Sequence, residues 1–98
     1  MSLPVALRDP ASAEFDEAFD WYESRKAGLG VEFVAEIEAV FDRISVAPLA
    51  YRTVRADIRK AVVRRFPYNV LFRVHVSHVE VLAVFHTSRD PHVWQRRV

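Results

Sequence analysis

The residues of this chain that could do chemistry are its histidines and arginines. His86 closes the apolar run Val81-Leu82-Ala83-Val84-Phe85, and Arg89 and Asp90 follow directly after it in sequence. An imidazole placed near a guanidinium can exchange a proton or contact a phosphate. The alternative is a strand-end histidine hydrogen-bonded to backbone. His75, His78 and His92 read as turn and surface residues. The four histidines match no familiar ligand spacing and the chain has no cysteine, so neither a metal site nor thiolate chemistry is expected. With Gly28 and Gly30 as the only glycines there is no phosphate-cradling loop, and no cofactor is expected.

The bases form a second candidate feature. Residues 1–50 carry ten acids and four bases, a net of −6, whereas residues 51–98 carry three acids and ten bases, a net of +7. Arg59, Lys60, Arg64, Arg65, Arg73, Arg89, Arg96 and Arg97 should create a local field that attracts something anionic. The alternative is a solvated basic face with no specific partner.

These residues need elements to hold them. The 98 residues suit a single domain, 1–98, with 51% hydrophobic residues to build one core. No apolar run approaches a membrane span, and the stretch Met1–Val5 lacks the basic and apolar regions of a signal peptide. A reducing, cytoplasmic setting is consistent with the missing cysteines. Leu3–Leu7 reads as a short strand. Asp9 as N-cap and Pro10 in the first turn open a helix, in which Phe15, Ala18, Phe19 and Tyr22 share one face. Gly28 and Gly30 turn the chain into a second helix from about Val31 to Val46, striped by Phe33, Ile37, Val40, Phe41 and Ile44, which Pro48 stops. The short connection predicts an antiparallel helical hairpin. Strands follow over Ile58–Arg65, Tyr68–Val76 and Val79–Phe85, and the last is apolar enough to be buried on both faces. Asp90-Pro91 begins a C-terminal turn or helix in which Trp94 anchors the core. Trp21 and Tyr22 read as helix-packing residues. The order is β-α-α-β-β-β, an α+β fold with the helices on one face of a mostly antiparallel sheet and the basic side chains on the other. If Val62 and Phe66 face the helices, Arg59, Ala61, Val63 and Arg65 point to the open side, where Arg73 joins Leu71 and His75. That mixture of arginine with apolar residues suits a polypeptide partner that buries apolar side chains while its acids pair with arginine.

Several motifs, in order and at consistent spacing, carry a resemblance over essentially the whole chain. Trp21-Tyr22-Glu23 followed by Gly28-Leu29-Gly30 and Phe33 is similar to the helical hairpin of ParE-type plasmid-stabilisation proteins. Phe66-Pro67-Tyr68 with Val70 and Phe72-Arg73-Val74 resembles their central hairpin. Val81–His86, then Arg89-Asp90-Pro91 and Trp94, resembles their C-terminal signature. The chain thus resembles the RelE/ParE superfamily of toxins from type II toxin–antitoxin systems. The resemblance implies a toxin neutralised by a cognate antitoxin, in an assembly that can be a hetero-oligomer. ParE-type members poison DNA gyrase; RelE-type members cleave messenger RNA on the ribosome. RelE-type ribonucleases carry an arginine where this chain has Asn69, and a Tyr or His near the C-terminus where it has Trp94. These departures favour the ParE-type reading, for which the family supplies no settled catalytic residue. Under the alternative, an endoribonuclease, the candidates are His86, Arg89 and Arg65. A third reading is a non-toxic member that keeps antitoxin binding. Residues expected to contact target or antitoxin are Arg59, Arg65, Leu71, Arg73, His86, Arg89, Arg96 and Arg97.

Overall fold

The computed structural model describes residues 2–98, so Met1, the first residue of the stretch tested for a signal peptide, lies outside it. Strand β1 spans Val5–Leu7, helix α1 Asp9–Arg25 and helix α2 Leu29–Val46. A 3-10 turn at Pro48–Ala50 leads to β2 (Thr53–Arg55), β3 (Ile58–Val62), β4 (Tyr68–Val74), β5 (Val79–His86) and the short helix α3 (His92–Gln95). The sheet order is β1-β5-β4-β3-β2, with β1 parallel to β5 and every other pair antiparallel. The expected α+β architecture is present, with one added edge strand, β2, whose sequence Thr-Val-Arg is too short to show a period.

Local chemistry sets the helix ends. Arg8, in extended conformation, precedes the first turn of α1 and caps it without a side-chain bond; Asp9 is the first helical residue, not the N-cap. Its charge there favours the positive end of the helix dipole. Gly28 takes φ 90°, the left-handed region that costs a side-chain-bearing residue about 1 kcal/mol, and starts α2 two residues earlier than expected. Gly30 lies inside the first turn of α2, where a Cβ would sit 2.8 Å from the Phe19 carbonyl oxygen. Glu23 then closes the hairpin by accepting the N–H groups of Gly28 (2.9 Å) and Gly30 (2.8 Å), two donors that a helix start leaves unpaired. These bonds, that from Gly28 foremost, hold the Glu23 carboxyl below its ordinary range.

The hairpin buries its apolar stripe on one face of the sheet. Phe33, Ile37, Val40 and Ile44 of α2 meet Ala61, Val63, Val70, Phe72, Val79, Val81 and Val84. Phe33 sits at the centre of an aromatic cluster, with ring centroids 5.2 Å from Tyr22, 5.3 Å from Phe66 and 5.1 Å from Tyr68. Such contacts add about 0.5–1.5 kcal/mol each beyond the area they bury.

Two expectations for the sheet are corrected. Along β3 the facing is reversed: Ala61 and Val63 lie under the helices, while Val62 is 63% exposed. The reason is that β3 ends at Val62. The chain turns through Arg65, at φ 71°, so the burial of Phe66 says nothing about strand parity. The second face is also not wholly open. Trp94 on α3 covers Ile58, Leu71, Leu82, Ala83 and Phe85, forming a second small core. Trp94 is the expected core anchor, 5% exposed, and β5 is buried on both sides.

Candidate functional site

β1 is only three residues long and pairs with Val79–Val81, so among the described residues the C-terminal half of β5 has no strand beside it on that edge. Side chains serve instead. Glu14 of α1 accepts the Val84 N–H at 3.1 Å, and Arg97 donates to the Leu82 carbonyl at 3.1 Å. Arg97 also grips Glu14 with two bonds, Nη1 to Oε1 at 3.0 Å and Nη2 to Oε2 at 2.8 Å, and Arg89 adds a third at 2.8 Å. The Glu14 side chain is 10% exposed and that of Arg97 17%. Forked, charge-assisted pairs of this kind are among the stronger hydrogen bonds of proteins. The guanidinium of Arg89 lies 4.3 Å above the Phe85 ring, which holds it in place.

Between α1 and this edge runs a groove of about 830 Å³. Its lining mixes apolar side chains, among them Pro10, Ala13, Ala18, Trp21, Tyr22 and Pro67, with the polar groups Glu14, Glu17, His86, Arg89 and Arg97. Trp21 is 52% exposed, packed edge-on against Tyr22 and covered in part by Arg25 at 4.5 Å. It was read as a helix-packing residue; half-exposed, it also forms part of the groove wall. Burial pushes the Tyr22 and Tyr68 hydroxyls above their ordinary pKa.

His86 reaches this side of the sheet through a bulge. Leu71 is opposite Ala83 but Phe72 is opposite Val81, so Leu82 is an extra residue in β5. Before it Val79 and Val81 face the helices; after it Val84 and His86 do. The His86 ring packs edge-on against Tyr68 at 5.1 Å. Its Nδ1 accepts from the Ser88 N–H (3.0 Å) and lies 2.8 Å from the Ser88 hydroxyl. The neutral ring therefore carries its proton on Nε2. This matches the strand-end histidine tied to backbone, and Nε2 is the atom left for another partner.

Of the expected contact residues, the structure brings together His86, Arg89 and Arg97. The others are dispersed. Arg59 lies on the helix side of β3 and donates to the Tyr51 carbonyl. Arg65 bonds Glu32 at 3.0 Å and pairs with Glu36 at 3.6 Å, both on α2. Arg73 is held by Asp57 at 3.1 Å and Glu80 at 3.8 Å. Arg96 is exposed on α3, donating to the His92 carbonyl. Leu71, 2% exposed beneath Trp94, offers no contact surface in this conformation. The basic half is thus partly neutralised by the acidic half. Glu14 was not singled out, and Trp21 was read for packing and not for the site. Glu14 had a signal: Ala11, Glu14 and Ala18, at i, i+3 and i+7, share one helical face, and both alanines are buried. Among the described residues no group of three His, Asp or Glu is placed to hold a metal ion, and no helix is long and apolar enough to cross a membrane.

Comparison with known proteins places this geometry. The fold is similar to that of a solved chain described as a chromosomal ParDE TA system from P. aeruginosa, with a TM-score of 0.76 over 89% of this chain and 98% of that one, at 15% identity. No curated protein matches in sequence. A family model described as the ParE toxin of type II toxin-antitoxin system, parDE, matches residues 5–91. Since that match takes in every strand and both long helices, the chain belongs to the ParE toxin family of type II toxin–antitoxin systems.

Proposed function

We propose that this chain is the toxin of a type II toxin–antitoxin pair, that it acts in the cytoplasm by inhibiting DNA gyrase, and that a cognate antitoxin neutralises it by occupying the groove between α1 and β5. Family membership supports the toxin role. The observation that carries the location is the groove, whose lining combines the exposed Trp21 with the Glu14–Arg89–Arg97 cluster. An amphipathic partner segment gains apolar burial from the first and polar contacts from the second. Large aromatics and arginines of this kind dominate binding energy at protein interfaces.

The test has two arms. Inducible expression should arrest growth, and co-expression with the adjacent reading frame should relieve the arrest and yield a co-purifying complex. Purified chain should inhibit supercoiling by gyrase. Growth arrest with unaffected gyrase and codon-dependent transcript cuts would transfer the assignment to ribonuclease action; no arrest and no co-purifying partner would remove it. Trp21→Ala should weaken antitoxin binding by at least about tenfold, as expected for an aromatic anchor.

A further inference from the structure

A smaller cavity, of about 190 Å³, lies on the face of the sheet turned away from the two long helices. Its base is formed by Phe85 and Trp94 of the second core, and Val54 of β2 and Pro91 complete its apolar lining. Strand register supplies the polar part. Lys60 is opposite Leu71 and Asn69 is opposite Phe85, so Lys60 and Asn69 share the face of the second core. Thr87 follows directly after β5 and lines the same cavity.

These three polar side chains are uncommitted. Among the described residues the Lys60 ammonium, the Asn69 carboxamide and the Thr87 hydroxyl have neither an ion pair nor a side-chain hydrogen bond. Lys60 and Asn69 are nevertheless half-buried. A lysine ordinarily carries its charge out into water, and a carboxamide offers two donors and an acceptor. Arg89 lines the cavity too, but Glu14 holds its Nη1 at 2.8 Å and its guanidinium lies 4.3 Å over the Phe85 ring. One free cation and two neutral donors therefore stand beside an apolar base.

That chemistry selects the ligand. One negative charge with two acceptor oxygens satisfies Lys60, Asn69 and Thr87 together, and an apolar body covers the rest. A phosphate monoester brings a charge of about −1.5 to −2 to a single free cation. The volume lies below the roughly 300 Å³ at which drug-sized ligands begin to be enclosed, so the occupant is small. A nucleic acid strand finds no ring to stack on, since Trp94 is only 5% exposed.

We propose that this cavity binds a small organic monocarboxylate, whose carboxylate pairs with Lys60 and accepts from Asn69 and Thr87 while its apolar body lies against Val54, Phe85, Pro91 and Trp94. The site stands independently of the toxin reading and of what fills the α1–β5 groove, although His86 and Arg89 line both cavities.

The test is an NMR titration of the full chain with benzoate at constant ionic strength. Parallel titrations use benzamide, which has the same shape without the charge, inorganic phosphate, and a short oligothymidylate. Benzoate should shift the amides of Lys60, Asn69 and Thr87 and the indole N–H of Trp94, and the shifts should saturate with a dissociation constant of about 1 mM. Benzamide should bind about tenfold more weakly, and phosphate should leave these signals in place. Lys60→Met should lower benzoate affinity about tenfold, and Lys60→Arg should restore most of it. Absence of saturable shifts overturns the proposal, as does equal binding of benzamide or an unchanged affinity in Lys60→Met. Phosphate binding as tightly as benzoate overturns it in favour of a simple anion site, and tighter oligothymidylate binding in favour of a nucleic-acid surface. Benzoate shifts centred on Trp21 and Tyr22 would place the ligand in the groove and overturn it equally.

Discussion

The α1–β5 corner and the β2–β3 hairpin use the same residue type to opposite ends. At the corner, Arg89 and Arg97 are consumed by Glu14, a carboxylate 83 residues away in sequence from Arg97, and the result is a fixed joint between the first helix and the C-terminal segment. On the hairpin and its two flanks, Arg52, Arg55, Lys60 and Arg64 meet no carboxylate among the described residues and remain a positive field. Net charge in a sequence segment is therefore not the charge of a surface. The basic half is a staple where a helix overlies it, and an unneutralised positive rim where the sheet runs out beyond the helices.

That contrast can be broken most severely at the corner. Glu14→Ala should cost about 2–3 kcal/mol, read as a lowered urea midpoint at constant slope, because it strands a largely buried Arg97 and leaves the Val84 N–H unpaired. A variant as stable as the parent would mean that the corner is no staple. Gly30→Ala should come next, losing about 1–2 kcal/mol although alanine is the better helix former. Its Cβ would meet the Phe19 carbonyl at 2.8 Å and a Glu23 carboxylate oxygen at 2.9 Å, and one of these must move.

The acid limb of stability tests Glu23. Its folded pKa lies below the ordinary glutamate value, so its contribution is complete above the unfolded value of about 4.3 and is lost as pH falls through the lower folded one. Glu80, lowered chiefly by its bond to His75, adds a contribution of the same sign. Glu23→Gln should flatten the fall of the thermal midpoint between neutral and acid pH, while Glu14→Ala should lower the whole curve. Smaller still, Ala56→Gly should raise stability by about 0.5 kcal/mol, since Ala56 holds φ 50° in the exposed β2–β3 turn. Least of all, Arg52→Glu/Arg55→Glu should change stability by less than about 0.5 kcal/mol, since neither side chain has a partner among the described residues. A loss comparable to that of Glu14→Ala would erase the distinction between the two regions.

Much of the architecture was legible residue by residue. The stripe from Phe33 to Ile44, the apolar run of β5 and the turn at Gly28 each follow from local pattern, because period and backbone freedom are short-range properties. The order β-α-α-β-β-β and the family motifs rest on such patterns. β2 escaped because three residues carry no period, and the facing of β3 was misread because Phe66 lies beyond a left-handed residue that resets the alternation.

The candidate site was legible in part, through His86, Arg89 and Arg97, and the division of labour is physical. Amino-acid order alone settled the two long helices with their apolar stripes, the strands other than β2, and that acids and bases occupy opposite halves. Tertiary structure decided which charges cancel, since Glu14 meets Arg97 only when α1 crosses the end of the sheet. It also decided where His86 points. The single extra residue Leu82 in β5 turns His86 from the far face to the groove, and a bulge exists only relative to the strand it is paired with.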